Sequence, residues 1–107
     1  MKESPKLIDL DMVLSTCAWC RKSISADQEV FSLGARVQEG YDLQVFEGRA
    51  IELFLPISGK RVYALVPVQD STARQAGNDM LFMICSESCG KSLRAALEQE
   101  LNFLGVQ

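Results

Sequence analysis

Hydrophobic residues gather along this chain in short β-type runs and one long helical stripe. Residues 50–56 and 61–68 are rich in aliphatic, aromatic and β-branched side chains and flank Ile57-Ser58-Gly59-Lys60. Two such runs around a short Ser-Gly-Lys segment predict a β-hairpin. Both arms are apolar at nearly every position, so both faces of the hairpin are expected to be covered. Pro56 and Pro67 lack an amide donor and belong at strand ends or on an edge. Residues 29–37 predict another strand, with Val30, Ser32 and Gly34 opposite Phe31, Leu33 and Ala35. Turns are expected at 38–42, pivoting on Gly40, and at Glu47-Gly48, with a short strand over 43–46 between them. The apolar run 80–84 predicts a buried strand that leads directly into Cys85. Before it, 69–79 is the longest polar stretch and is expected to be a mobile loop with one helical turn near 73–76.

The helical stripe lies at the C-terminal end. Leu93, Ala96, Leu97, Leu101 and Leu104 share one face, while Glu98, Gln99 and Asn102 fall away from it. Ser86 suits an N-cap, and Glu87 favours the positive end of the helix dipole. Gly105 is the expected C-terminal stop. Residues 7–15 fit a helix through Leu7, Leu10 and Leu14, and equally a strand through Leu10, Met12 and Leu14. Extended structure leading into the first cysteine pair is the reading adopted. Residues 1–6 are polar, contain Pro5 and read as a loose terminus. Phe31, Phe46, Phe54 and Phe82 read as core.

Length and composition narrow the class. The 107 residues suit a single domain, 1–107, with one modest core. Hydrophobic residues make up 48%, which favours a folded chain over a disordered one. No apolar run is long enough for a membrane span. The polar start, and the acids Asp9 and Asp11 inside the first apolar cluster, make a poor signal peptide. A cytoplasmic protein is therefore expected. The net charge of −3 gives little general attraction to nucleic acid.

That compartment decides how the four cysteines are read. They form two close pairs, Cys17-x-x-Cys20 and Cys85-x-x-x-Cys89. In a reducing cytosol such pairs bind metal or do redox work more often than they form disulfides. Cys17 to Lys22 would be a knuckle, a tight turn that aims both sulfurs at one ion. Many knuckles carry Gly after the second cysteine, where the chain must turn sharply. Here Arg21 stands in that place. Cys85 ends a strand and Cys89 falls in the first turn of the helix, where the dipole and free N–H groups favour a thiolate. Four sulfurs and no histidine fit a tetrahedral four-cysteine zinc site, and iron takes the same ligands. A site closed by four protein ligands is structural by default.

Other uses of these residues are weaker. A redox C-x-x-C pair usually opens a helix in a βαβ unit, whereas turn and strand follow Cys20. Buried inert thiols would leave the pairing a coincidence. A thiol switch that releases zinc on oxidation would use the same four residues. Trp19 either shields the metal or packs on the domain. Ser86 and Ser88 have no histidine to activate them. Asp70, Asp79 and Glu87 form no acid–base pair, and Gly59-Lys60 lies in no phosphate-binding loop. No enzyme is expected. Arg21, Lys22, Lys91 and Arg94 flank the cysteine pairs and read as a solvated rim.

The first cysteine pair, the run Phe82-x-x-Cys85-Ser86 with Cys89, and a helix starting near Gly90-Lys91 together resemble a treble-clef zinc finger. The C-x-x-C and C-x-x-x-C pairing is similar to the MYM/TRASH-type fingers. The resemblance implies zinc held by Cys17, Cys20, Cys85 and Cys89. It also implies a fold used in protein contacts, nucleic-acid contacts or metal sensing. Those fingers place fewer residues between their pairs than the sixty-four found here. The expected architecture is therefore α+β: a zinc-bound treble-clef-like core, an inserted antiparallel β-meander over much of 21–84, and a C-terminal amphipathic helix. The expected role is a non-enzymatic protein-interaction or regulatory module, with a protein partner or self-association, no membrane, and nucleic acid disfavoured by the acidic charge. A redox- or metal-responsive switch is the alternative.

Overall fold

The computed structural model describes residues 6–25, 27, 31–37, 46–55, 57–100 and 103–106. In chain order the elements are β1 (Lys6–Ile8), α1 (Leu10–Leu14), β2 (Phe31–Val37), β3 (Ala50–Leu55), β4 (Lys60–Leu65), α2 (Thr72–Gln75), β5 (Met80–Ile84), α3 (Glu87–Gln99) and β6 (Phe103–Val106). The fold is α+β. Its strands form one six-stranded sheet in the order β1-β3-β4-β5-β2-β6, and each neighbouring pair in that order is antiparallel.

The hairpin forms where the apolar runs place it. Ala50 faces Leu65 and Leu55 faces Lys60. Gly59 at the turn has φ +69°, a conformation that glycine adopts at little cost. Pro67 lies two residues beyond the end of β4, where no ladder bond needs its missing amide. With β5 alongside β4, these strands are a meander. β5 also pairs on its other side with β2, from Phe31↔Ile84 to Ala35↔Met80. The long segment between the cysteine pairs thus supplies most of the sheet. The predicted turn at 38–42 and residues 43–45 of the predicted strand 43–46 lie outside the described residues, while Phe46 is in a helical turn rather than a strand and Glu47-Gly48 is a turn. The helical turn expected near 73–76 is α2, capped by Ser71.

The core lies between one face of the sheet and α3. Ile51, Leu53, Leu55, Val62, Ala64, Met80, Phe82 and Ile84 meet Leu93, Ala96 and Leu97 there. Burial of such side chains is the main favourable term in folding. Phe31 and Phe46 pack at its margin. The second face of the hairpin departs from the expectation. Glu52, Phe54, Arg61 and Tyr63 share it by register, and Phe54 is 37% exposed. α1 packs against β4, and its Val13 is buried. The cover is therefore partial, and Phe54 is not a core residue.

Both ends of the chain also differ from the sequence reading. β1 begins at Lys6, within the stretch expected to be loose, and pairs with β3. Residues 10–14 are then helical rather than extended. Asp9 explains the change: it is the N-cap, and its carboxylate accepts the Asp11 N–H at 3.0 Å. At the other end, α3 stops at Gln99, where Glu100 turns extended. Leu104 therefore leaves the helical stripe for β6. Gly105 is not a helix stop but pairs with Arg36 inside β6. The apolar tail finds backbone partners on β2, which a longer helix would have left unpaired. Among the described residues, no helix is long and apolar enough to cross a membrane.

Candidate metal centre

The first cysteine pair sits on a turn that the backbone closes by itself. Thr16 and Ser23 form an isolated antiparallel bridge. Inside it, the Cys17 N–H donates to Lys22 O at 2.8 Å and the Arg21 N–H donates to Cys17 O at 3.0 Å. Arg21 has φ 69°. The knuckle thus keeps the left-handed turn for which glycine is favoured, although arginine occupies it.

The arginine side chain offers compensation. One guanidinium nitrogen donates to the Tyr63 hydroxyl at 2.7 Å and another to the Arg61 carbonyl at 2.5 Å. The guanidinium carbon lies 4.1 Å from the centre of the Tyr63 ring. Replacing Arg21 by Ala removes these contacts and leaves the strained backbone. Replacing it by Gly removes them and relieves the strain. The Gly variant is therefore expected to be more stable than the Ala variant by about 1 kcal/mol, as read by denaturant unfolding. Equal stability would contradict the strain argument.

One hydrogen bond hooks the knuckle to the strand that carries the second pair. The Ala18 N–H donates to Met83 O at 2.7 Å. At this end the β4–β5 ladder is replaced by the knuckle: the registered pair is Leu65↔Leu81, while Arg61 O accepts from Arg21 and Met83 O from Ala18. Cys17 and Ala18 are buried in the main core. Cys85 directly follows β5. Ser86 caps α3, accepting the Cys89 N–H at 3.3 Å, which sets Cys89 in the first helical turn as the sequence predicts.

These elements bring the four sequence-predicted sulfurs together. Their Sγ atoms all lie within 4.8 Å of one another. Cys20 Sγ is 3.6 Å from Cys85 Sγ, which is 3.7 Å from Cys89 Sγ. Four sulfurs at about 2.3 Å from a tetrahedral zinc lie about 3.8 Å apart. The cluster is positioned to hold one metal ion, and its size fits zinc. Cys17 is buried, Cys85 and Cys89 are half-buried, and Cys20 is exposed, so the site lies at the surface with one ligand open to water.

The thiol electrostatics show what such an ion would have to offset. At Cys17 burial raises the pKa, but the N–H groups of Cys20, Cys85 and Trp19 together with the Cys20 side chain lower it more, to about 7. Cys85 is pushed up to about 12, first by burial and then by the sulfurs of Cys20, Cys17 and Cys89. Cys89 is raised as well, chiefly by burial. Without a cation, one thiolate forms readily and crowds its neighbours out of ionisation. Metal binding must displace protons from Cys85 and Cys89, so the bound state holds fewer protons and is favoured as pH rises. Apparent affinity is expected to fall at least about a hundredfold per unit of pH decrease, more steeply below about 7, where Cys17 also takes up a proton. Competition with a chromophoric chelator across pH measures this slope, and a pH-independent affinity would contradict it.

The remaining sequence candidates settle into simpler places. Trp19 packs at the core margin with Lys60 Nζ 3.9 Å from its ring centre. Lys91 and Arg94 are exposed on α3, while Arg21 is directed to β4. The Cys17-x-x-Cys20 motif lies on a turn, not at a helix start. Sequence reasoning missed Lys60, Arg61 and Tyr63, whose approach to the knuckle depends on the hairpin docking beside it. No signal near the cysteines announces that. No known protein family, curated protein or solved structure matches this chain.

Proposed function

We propose that this protein is a non-enzymatic zinc-binding module whose four-cysteine site is structural and whose role is protein interaction or regulation. The observation that carries it is the sulfur cluster, with separations of 3.6 and 3.7 Å matching the edges of a zinc–thiolate tetrahedron. Four protein ligands fill that coordination and leave no position for a substrate. The order of parts supports a treble-clef reading. A knuckle carries Cys17 and Cys20, the antiparallel pair β2–β5 follows, and a capped helix carries Cys89. β3, β4 and α2 would then be inserted between the two strands of the finger. Reduced thiols held for a metal suit the reducing cytoplasm. Cobalt substitution tests the site: a tetrahedral thiolate complex gives intense visible and charge-transfer bands. A weakly coloured, octahedral cobalt spectrum would sink the proposal.

A second reading is favoured by one observation, the exposure of Cys20. An exposed thiolate ligand is the first place for oxidant to attack, so the same site would serve a redox- or metal-responsive switch. Peroxide titration with metal release as the readout separates the two. Retained zinc and unreactive sulfurs leave the structural role alone.

A further inference from the structure

The four clustered sulfurs are not equivalent. Cys17 is buried, Cys85 and Cys89 are half-buried, and Cys20 is exposed. Their hydrogen bonds follow the same order. The Cys17 sulfur takes the N–H groups of Cys20, Cys85 and Trp19. Ser86 Oγ lies 3.9 Å from the Cys85 sulfur and is also a partner of the Cys89 sulfur. Among the described residues, no N–H or O–H group is placed on the Cys20 sulfur. Its partners are other sulfurs, with that of Cys85 at 3.6 Å. All four lie within 4.8 Å of one another, so each would be a thiolate on one shared zinc ion.

We propose that Cys20, as a zinc-held thiolate, is a modification site for soft carbon electrophiles that carry a leaving group. The proposal deepens the regulatory side of the module above and rests on its zinc reading. A thiolate, not a thiol, is the nucleophile, and a zinc-bound sulfur stays ionised at neutral pH without a neighbouring base. Hydrogen bonds that stabilise a thiolate lower its basicity and with it its nucleophilicity. Cys17 is therefore both shielded and damped, and Cys20 is neither. In the step, a lone pair on the Cys20 sulfur forms the C–S bond. The bond from carbon to the leaving group breaks, and that group departs with its electron pair. No proton moves, and no oxidant or reductant takes part. The product is an uncharged thioether, a weaker zinc ligand than a thiolate. Cys17, Cys85 and Cys89 then hold the ion and the fourth position falls to water, so modification loosens the tie between the knuckle and α3.

The test treats the zinc-loaded full chain with iodoacetamide, locates the label by peptide mass spectrometry and measures zinc on the same samples. A single carbamidomethyl group on Cys20 is expected, formed at least about tenfold faster than on any of the other three cysteines. The rate should rise in proportion to iodoacetamide concentration, with the zinc still bound when Cys20 is fully labelled. Labelled protein should then surrender its zinc to a chelator faster than unlabelled protein does. Zinc-loaded Cys20→Ser should take up no label over the same period. Three results would overturn the proposal while leaving the zinc site in place. They are first labelling on Cys17, Cys85 or Cys89, comparable labelling of all four, and a rate that levels off at the rate of zinc loss. Protein that is folded but holds no zinc contradicts the metal reading, and this proposal with it.

Discussion

Stripping the metal with a strong chelator should lower the thermal midpoint of this protein by more than about 15 °C. Among the described residues, few other contacts hold the knuckle. The Ala18 N–H to Met83 O bond, the Arg21 clamp on β4 and the burial of Cys17 and Ala18 are the main ones. Ligation would tie Cys17 to Cys89 and close into one loop four of the six strands, β2 to β5. In zinc-finger peptides the binding free energy is about 10–16 kcal/mol and is also folding free energy. A domain of this size has only about 5–15 kcal/mol of net stability. A loss of about 4 kcal/mol, at about 4–8 °C per kcal/mol, already gives the stated shift. The knuckle region should lose protection first, because no ion then joins its sulfurs to Cys85 and Cys89. A midpoint unchanged by chelation would show that the sheet and α3 suffice.

The second large effect separates the two ends of the knuckle. Cys17→Ser should abolish stoichiometric metal binding and lower the midpoint about as far as chelation does. Cys17 is both a candidate ligand and a fully buried core residue. The serine hydroxyl would add a buried polar group, at a cost of about 1–3 kcal/mol if unpaired. Cys20→Ser should be milder. Cys20 is exposed, so water can enter the fourth position, as it does in zinc sites with three protein ligands. That variant is expected to keep one weakly held ion and less than half of the stability loss. Melting curves with metal analysis of both variants read the difference. Equal damage from the two substitutions would mean that exposure does not grade the ligands.

Some of this was legible in the chain and some was not. The cysteine pairs, the hairpin around Gly59, β5 running into Cys85 and the Ser86 cap are local patterns, in which spacing and capping chemistry decide the outcome. Arg21 is a partial case. Its position in the knuckle was readable, but its clamp on Tyr63 depends on a strand forty residues away. Phe54 looked like core because its strand is apolar at nearly every position, and register against Arg61 put it on the thinly covered face. The two ends misled for one reason. Residues 10–14 and 103–106 are short apolar runs that fit helix or strand equally well. Asp9 decided the first, and backbone partners on β2 decided the second. A nonlocal hydrogen-bond partner leaves no mark in hydrophobic periodicity.

Whether the four sulfurs share one structural metal ion is tested most directly by elemental analysis of protein purified without added metal. Close to one zinc per chain is expected, released by chelator together with the cooperative melt and missing from Cys17→Ser. A metal-free protein that still melts cooperatively, with all its thiols reacting as uncoordinated cysteines, would contradict a shared structural ion.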